Sequence, residues 1–361
     1  MHPVKRYKNI FMVFLSFYFF VAAIVLIKES IVLVGLGEVE NLVSSVNNTL
    51  TGVFAGWFGT ALLQSSGAFD SIIVTFVSVG VIPVSIAVAT IIGAEVGTTV
   101  TTQLVAVVGY FKQERKKFQT SFLVAMLHYW YNFSTMILFF LIEYFFGTFT
   151  YIAEVGSKFF SEMPGLAEIP SIFMFISPWV EFLLKYIPAW LGFIAGIALL
   201  LLALKNCEKY LSAAFAGEVA GNLIRSTFGS TAKAFLAGLV FTMLVPSTSV
   251  MVSMLIPLFT TGVIDDGRNI LPYILGANIG TVFDVMIAAL ATGNPAAIGV
   301  WLVHLTINVI GAIIFLPLAR PFSSSVNRIN EYLTVSKKRT MIFLIVSNAV
   351  PAILLVVGIL Y

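Results

Sequence analysis

The sequence predicts an all-α polytopic membrane protein with two inverted-topology repeats, each holding a re-entrant helical hairpin and broken transmembrane helices: about seven full spans plus two hairpins. Three observations carry that expectation: the composition, the sidedness of the cations, and a polar segment that recurs 182 residues later. Hydrophobic residues make up 59% of the chain and charged residues 10%, with a mean hydropathy of +1.00. A water-soluble core cannot hide that much apolar surface, so the lipid bilayer is the solvent. The 33 Phe and 27 Gly suit it, because lipid-facing surfaces accept aromatics and helix contacts in membranes favour small residues. A net charge of +3 is too small to point to nucleic acid. The one cysteine, Cys207, excludes an internal disulfide and reads as an inert boundary residue.

The first residues, MHPVKRYKN, lead into an apolar stretch to Ile27 that is long enough to span, and it reads as a membrane anchor. Full spans are expected at roughly 10–33, 82–109, 119–147, 182–204, 270–292, 298–319 and 340–361. The cations cluster at Lys5, Arg6 and Lys8; at Lys112, Arg115, Lys116 and Lys117; at Lys205, Lys209, Arg225 and Lys233; at Arg268; and at Arg320, Arg328, Lys337, Lys338 and Arg339. With those spans, every Lys and Arg except Lys28, Lys158 and Lys185 falls on one side, which the positive-inside rule makes cytoplasmic. The expected location is the cell membrane, multi-pass, with a cytoplasmic N-terminus.

That sidedness holds only if TALLQSSGAFDS (60–71) and TMLVPSTSVMVS (242–253) each enter the membrane and return to the same side. They are expected as hairpins, 53–78 dipping in from outside and 235–261 from the cytoplasm. Gly80, Pro83, Pro257 and Gly262 stand where the hairpins would end. The resulting division is a first repeat over 1–147, an external connector with a short interfacial helix over 148–181, a second repeat over 182–319, and a cytoplasmic linker with the last span over 320–361. Stretches 37–50 and 208–233 read as arms leading into the hairpins.

The repeat is visible residue by residue. Gly56 matches Gly238, Ser65 matches Ser247, Ser66 matches Thr248 and Ser71 matches Ser253 at an offset of 182. GAEVGT from Gly93 matches GANIGT from Gly276 at 183, and HYWYN from His128 matches HLTIN from His304 at 176. Inverted repeats with broken helices are the architecture of secondary transporters, whose site lies near the midplane where the two repeats meet.

These residues carry a resemblance to a family. QSS at Gln64, GAEVGTT at Gly93, GANIGT at Gly276 and the doubled H-x-x-x-N resemble the type II sodium/phosphate cotransporters over roughly 52–146 and 234–319. That family repeats a Gln-Ser-Ser-Ser hairpin and a Gly-Ala-Asn-Ile-Gly-Thr-Thr helix break. The resemblance implies cation-coupled symport of inorganic phosphate, sodium as coupling ion, no enzymatic activity and no other cofactor. The chain departs from the pattern at Gly67, where the third serine of the first hairpin would be. It departs again at Pro246 for the second glutamine, Thr248 for a serine and Glu95 for the first asparagine.

Neither hairpin nor its helix break contains a Lys or Arg, so an anion there must be met by hydroxyls, backbone N–H groups and helix N-termini. The candidate phosphate ligands are Gln64, Ser65, Ser66, Ser247, Thr248 and Ser249. Dipoles alone hardly offset a divalent anion, so bound cations should complete the balance. The hard oxygen donors Asp70, Ser71, Glu95, Thr98, Thr99, Ser253, Asn278, Thr281 and Asp284 are the candidate cation ligands, suited to sodium or, at the acids, a proton; no transition metal is expected. Each has a plainer reading: Ser and Thr in membrane helices bond back to a carbonyl one turn earlier, and acids can sit in wet hairpin ends. Gly93, Gly97, Gly276 and Gly280 are candidates for close helix packing as much as for gating. His128 with Asn132 and His304 with Asn308, each pair on one helix face, are candidates for bonding a neighbouring helix.

Two alternatives stand beside phosphate symport. One is a proton- or sodium-coupled carrier of another oxyanion or small carboxylate. The other is an intramembrane lipid diphosphate phosphatase, which would want an Arg that the hairpins lack. Association as a homodimer is an expectation for this build.

Overall fold

The computed structural model describes residues 3–108, 115–163, 176–215, 227–260, 264 and 267–360. Lys112, Arg225 and Gly262, named above, lie outside the described residues. Among those described there is no strand. The helices are α1 (Pro3–Val34), α2 (Leu36–Val43), α3 (Thr49–Leu63), α4 (Ser66–Ser78), α5 (Val84–Gly97), α6 (Thr99–Val108), α7 (Arg115–Phe146), α8 (Thr148–Glu162) and α9 (Ser177–Leu184). The second half continues with α10 (Ala189–Phe215), α11 (Thr231–Leu244), α12 (Thr248–Ser253), α13 (Leu255–Thr260), α14 (Ile270–Thr292), α15 (Pro295–Phe315), α16 (Ala319–Leu333) and α17 (Lys337–Leu360).

Seven stretches are long and apolar enough to cross a membrane: Tyr7–Val34, Val84–Val107, Arg115–Phe146, Ala189–Tyr210, Gly267–Thr292, Pro295–Phe315 and Lys337–Leu360. This is a multi-pass helical membrane protein. The polar segments fall on the shorter helices between them, α3 and α4 in the first half and α11 to α13 in the second.

The short helices start at matched places for a local reason. Asn48 caps α3, accepting from Thr51 N at 2.9 Å while the Thr51 hydroxyl accepts from Asn48 N at 3.2 Å. Ser230, 182 residues on, caps α11 by accepting from Lys233 N at 3.3 Å. Both helices therefore begin four residues before the expected hairpin boundaries. Each then packs in parallel on the long helix of its own half through matched glycines. A Cβ at Gly56 would collide with the Thr90 carbonyl, and one at Gly238 with that of Tyr273. Gly93 lies against the Val53 carbonyl as Gly276 lies against Phe235, and Gly97 against Trp57 as Gly280 against Leu239. Backbones this close leave no room for side chains, which is how membrane helices gain dispersion contacts without a hydrophobic driving force.

The open ends of the two short-helix assemblies lie at opposite ends of α14. At its C-terminal end, the Asn294 amide donates to Ser78 O at 2.8 Å and Lys28 Nζ donates to Thr292 O at 3.2 Å. At its N-terminal end, Thr231 Oγ1 donates to Asn269 Oδ1 at 3.1 Å and Asn269 Nδ2 to Phe228 O at 2.7 Å.

Three expectations about local structure are corrected. Pro257 does not end the second hairpin; it sits in the first turn of α13. Its missing N–H deprives the Ser253 carbonyl of its helical donor, and the break between α12 and α13 falls there. The span expected from 182 starts at Ala189, because Pro188 separates it from α9. That span helix then runs on to Phe215, so residues 208–215 belong to it and not to a separate arm. The stretch expected as an external connector holds α8, which packs lengthwise on α15, with Gly299 against the Ala153 carbonyl and Gly156 against Leu302. The buried Glu143 carboxylate fixes the start of α8 by accepting from Phe149 N at 2.7 Å, from Thr150 N at 3.2 Å and from the Thr150 hydroxyl.

Candidate functional site

The chain between α3 and α4, and between α11 and α12, ends at a serine that caps the second helix. Leu63 ends α3, Gln64 takes the left-handed conformation (φ 56°, ψ 25°), and Ser65, extended at φ −152°, caps α4 by accepting from Ala68 N at 3.3 Å. At the second tip Val245 and Pro246 make the reversal, and Ser247, extended at φ −154°, accepts from Val250 N at 3.4 Å. A capping hydroxyl spends a lone pair, not its proton, so both serines keep an O–H to donate.

The two tips meet at Thr98, the residue between α5 and α6. Thr98 Oγ1 donates to Ser66 Oγ at 2.9 Å, and Ser249 Oγ donates to Thr98 O at 2.8 Å. Ser66, Thr98 and Ser249 are all buried. Thr248, the repeat counterpart of Ser66, donates to Ala277 O at 3.2 Å, and Gln64 accepts at its carbonyl from Thr101 Oγ1 at 3.4 Å.

Behind the tips lies a buried polar network. Glu95 Oε1 accepts from Asn308 Nδ2 at 2.8 Å and pairs with His304 Nε2 at 2.8 Å, while Oε2 accepts from Asn278 Nδ2 at 3.4 Å. Asn278 Nδ2 also donates to Asn132 Oδ1 at 2.6 Å. Glu95 and Asn278 stand at matched positions, as do Asn132 and Asn308, so the same cross-half contact occurs twice: each is held by the asparagine of the other half's H-x-x-x-N. The helix break expected at GANIGT does not form, because α14 runs unbroken from Ile270 to Thr292. His304 Nδ1 lies 3.7 Å from Asp70 Oδ2. His128 instead meets the Thr102 hydroxyl at 3.2 Å.

Asp70 is fully buried and neither of its oxygens accepts a hydrogen bond. Asp284 accepts from Val285 N at 2.7 Å through Oδ1, while Oδ2 is buried without a partner. A Cβ at Gly67 would collide with that Oδ2. The glycine that replaces the expected third serine thus makes room for a carboxylate from α14. Buried, unpaired carboxylate oxygens are costly, and they are the groups a cation would satisfy.

The remaining candidates divide. Ser71 donates to Gly67 O at 2.5 Å and Thr99 to Val96 O at 2.8 Å, the plain back-bonded reading. Ser253 Oγ is buried without a partner, and Thr281 is buried on α14. Gly93, Gly97, Gly276 and Gly280 pack helix on helix.

The Na+/Pi-cotransporter family pattern matches residues 19–159 and 199–335, well over half of the chain. The chain belongs to the Na+/Pi-cotransporter family. Similar proteins include the sodium-dependent phosphate transport protein 2B of Homo sapiens, 32% identical over 123 residues, which are 33% of this chain and 18% of that protein. The sodium-dependent phosphate transport protein 2A of Ovis aries is 24% identical over 388 aligned residues, 84% of this chain and 60% of that protein. That of Rattus norvegicus is 33% identical over 113 residues, 28% and 17%. The chain thus spans less than two thirds of the length of these relatives. No solved structure matches it.

In this Na+/Pi-cotransporter family member, sequence reasoning missed several polar residues at the site. Thr102 is one, and Gln103, whose Oε1 accepts from Asn348 Nδ2 of α17 at 3.3 Å, is another. A third is Glu208. It lies on α10, near Ser247. Flanked by Lys205 and Lys209, it reads in sequence as part of a solvated helix end.

Proposed function

We propose that this chain carries out sodium-coupled symport of inorganic phosphate through one midplane site between the two hairpin tips. The observation that supports it most is the convergence of Ser66 and Ser249, one from each hairpin, on Thr98. Donors from Ser65, Ser66, Ser247, Thr248, Ser249 and the Gln64 side chain would face the anion. Asp70, Asp284 and Glu95, with the neighbouring hydroxyls and the Asn278 amide, would offer oxygen to the coupling cations. Anion and cation then lower each other's electrostatic cost, and the coupling is reciprocal.

The opposite open ends of the hairpins along α14, and the cross-half contacts made twice, support two inverted repeats over 1–147 and 182–319. On that reading the N-terminus is cytoplasmic and the protein sits in the cell membrane. The Glu95–His304 pair, 2.8 Å apart, favours a second reading in which a proton is the coupling ion. Proteoliposomes loaded with the purified chain decide between them. Labelled phosphate should accumulate under an inward sodium gradient and not under potassium. Accumulation driven by a pH gradient alone establishes the second reading, and no uptake under any gradient overturns both.

A further inference from the structure

The ends of three membrane-crossing helices meet at one boundary, and the surface they make there is cationic. α16 joins the end of α15 to the start of α17 and lies on the start of α7, with Asn330 Nδ2 donating to Gln119 O at 3.0 Å. The Thr340 hydroxyl of α17 donates to Leu333 O at 3.0 Å and fixes the turn between α16 and α17. α16 has two faces: Ala319, Val326 and Asn330 are buried, while Arg320, Ser324, Arg328 and Tyr332, four residues apart, share an exposed one. Arg115, Lys116 and Lys117 in the first turn of α7 are exposed, as are Lys338 and Arg339 in the first turn of α17. The Arg339 guanidinium lies 4.3 Å from the centre of the Tyr332 ring, and its Nη1 donates to Tyr332 O at 3.4 Å, which holds this cation against the α16 face.

Almost nothing in the protein answers that charge. Among the described residues of 115–121 and 319–340 the one acid is Glu331, whose carboxylate accepts from the Asn327 amide at 2.9 Å. No carboxylate among the described residues pairs with Arg115, Lys116, Lys117, Arg320, Arg328, Lys338 or Arg339. The positive-inside rule asks only that cations lie beyond the spans. Here they crowd the first turns of α7 and α17, at the positive ends of two helix dipoles, and neither turn holds an acid. Like charge is unfavourable there until an anion answers it. Immediately after these cations α17 turns apolar, with Met341, Ile342, Ile345 and Val346 exposed.

We infer that this surface binds an anionic phospholipid of the adjoining leaflet. The phosphodiester sits among Arg320, Arg328, Lys338 and Arg339, with the basic first turn of α7 at its edge, and an acyl chain lies along α17. Guanidinium groups meet phosphate oxygens with paired N–H donors, and each Lys or Arg at a membrane surface adds attraction for anionic lipid. The apolar strip gains from a lipid tail and gives nothing to a free anion.

The test uses the purified full chain, delipidated in detergent, with dioleoylphosphatidylglycerol, dioleoylphosphatidylcholine or glycerophosphoglycerol added. The readouts are the unfolding midpoint and the lipid retained in native mass spectrometry. Phosphatidylglycerol should raise the midpoint and stay bound. Phosphatidylcholine, without net charge, and glycerophosphoglycerol, without tails, should do neither at equal concentration. Arg328→Gln combined with Lys338→Gln should weaken apparent phosphatidylglycerol affinity about tenfold or more, and Arg328→Lys combined with Lys338→Arg should keep most of it. Lys205→Gln combined with Lys209→Gln removes the same charge from exposed positions of α10 and should weaken it less than about threefold, the part due to diffuse attraction. If the first pair does not yield monodisperse protein, Lys116→Gln combined with Arg320→Gln takes its place, with the same loss expected. Equal losses at α10 and at this surface overturn the site, and so does equal stabilisation by phosphatidylcholine or by glycerophosphoglycerol.

Discussion

The frame of the first half, α3 on α5, and that of the second, α11 on α14, are built by the same contacts, while the polar residues they carry differ. Three glycine-to-carbonyl contacts recur at matched positions, and the short helices start at matched caps. Yet the matched motif residues are Glu95 and Asn278, and the matched histidines do different things. His304 pairs with Glu95 and approaches Asp70, whereas His128 meets a threonine hydroxyl. Packing tolerates little change at a backbone contact, and the two halves share it. The charge was free to become one-sided, and the first half's acids are answered by the second half's imidazole and amide.

If the frame is truly shared, breaking it should cost both halves alike. Gly56→Leu and Gly238→Leu each force a side chain into a facing carbonyl, and each should abolish the yield of monodisperse protein in size-exclusion chromatography. Survival of one variant would mean that the two frames are not equivalent.

The polar core should respond unequally. His304→Ala strands two buried carboxylates and should cost about 3–5 kcal/mol in detergent unfolding experiments. His128→Ala loses a neutral hydrogen bond and should cost about 1–3 kcal/mol. Glu95→Gln placed in the His304→Ala background should recover part of the larger loss. Equal costs for the two histidines would break the asymmetry.

At the tips, Ser66→Ala should weaken phosphate-dependent thermal stabilisation about tenfold in apparent affinity, the worth of one good hydrogen bond, because that hydroxyl accepts from Thr98 and keeps its proton. Thr248→Ala and Ser249→Ala should each change it less than about threefold, because those hydroxyls already donate to the Ala277 and Thr98 carbonyls. The smallest effects belong to the caps. Asn48→Ala and Ser230→Ala should each lower stability by about 1 kcal/mol, with Asn48 the larger because its box is reciprocal.

The spans were legible because hydropathy over some twenty residues is a strong signal in a bilayer. The doubled motifs singled out Glu95 and Asn278 as oxygen donors and Asn132 and Asn308 as helix-bonding residues, but the contact among the four is made by the packing of the two halves. Gly67 was legible as a departure but not as a space, because nothing local says that α14 delivers Asp284 to it. Glu208 was hidden by Lys205 and Lys209, which give its surroundings the composition of a water-facing end. The stretch Thr148–Glu162 carries Glu154, Lys158 and Glu162 and reads as surface, but its face at Phe149, Ala153 and Gly156 is buried. The break at Ser253 follows from Pro257 four residues later, a rule that points to the carbonyl left without a donor and not to the proline itself.

The meeting of both tips at Thr98 is tested most directly by paired cysteines in a Cys207→Ser background in native membranes. Thr98→Cys combined with Ser66→Cys, and Thr98→Cys combined with Ser249→Cys, should both be bridged by cadmium or by a short bis-methanethiosulfonate, which forms a disulfide to each cysteine as its sulfinate groups leave. Bridging of one pair without the other, or of neither, would contradict a single site closed from both halves.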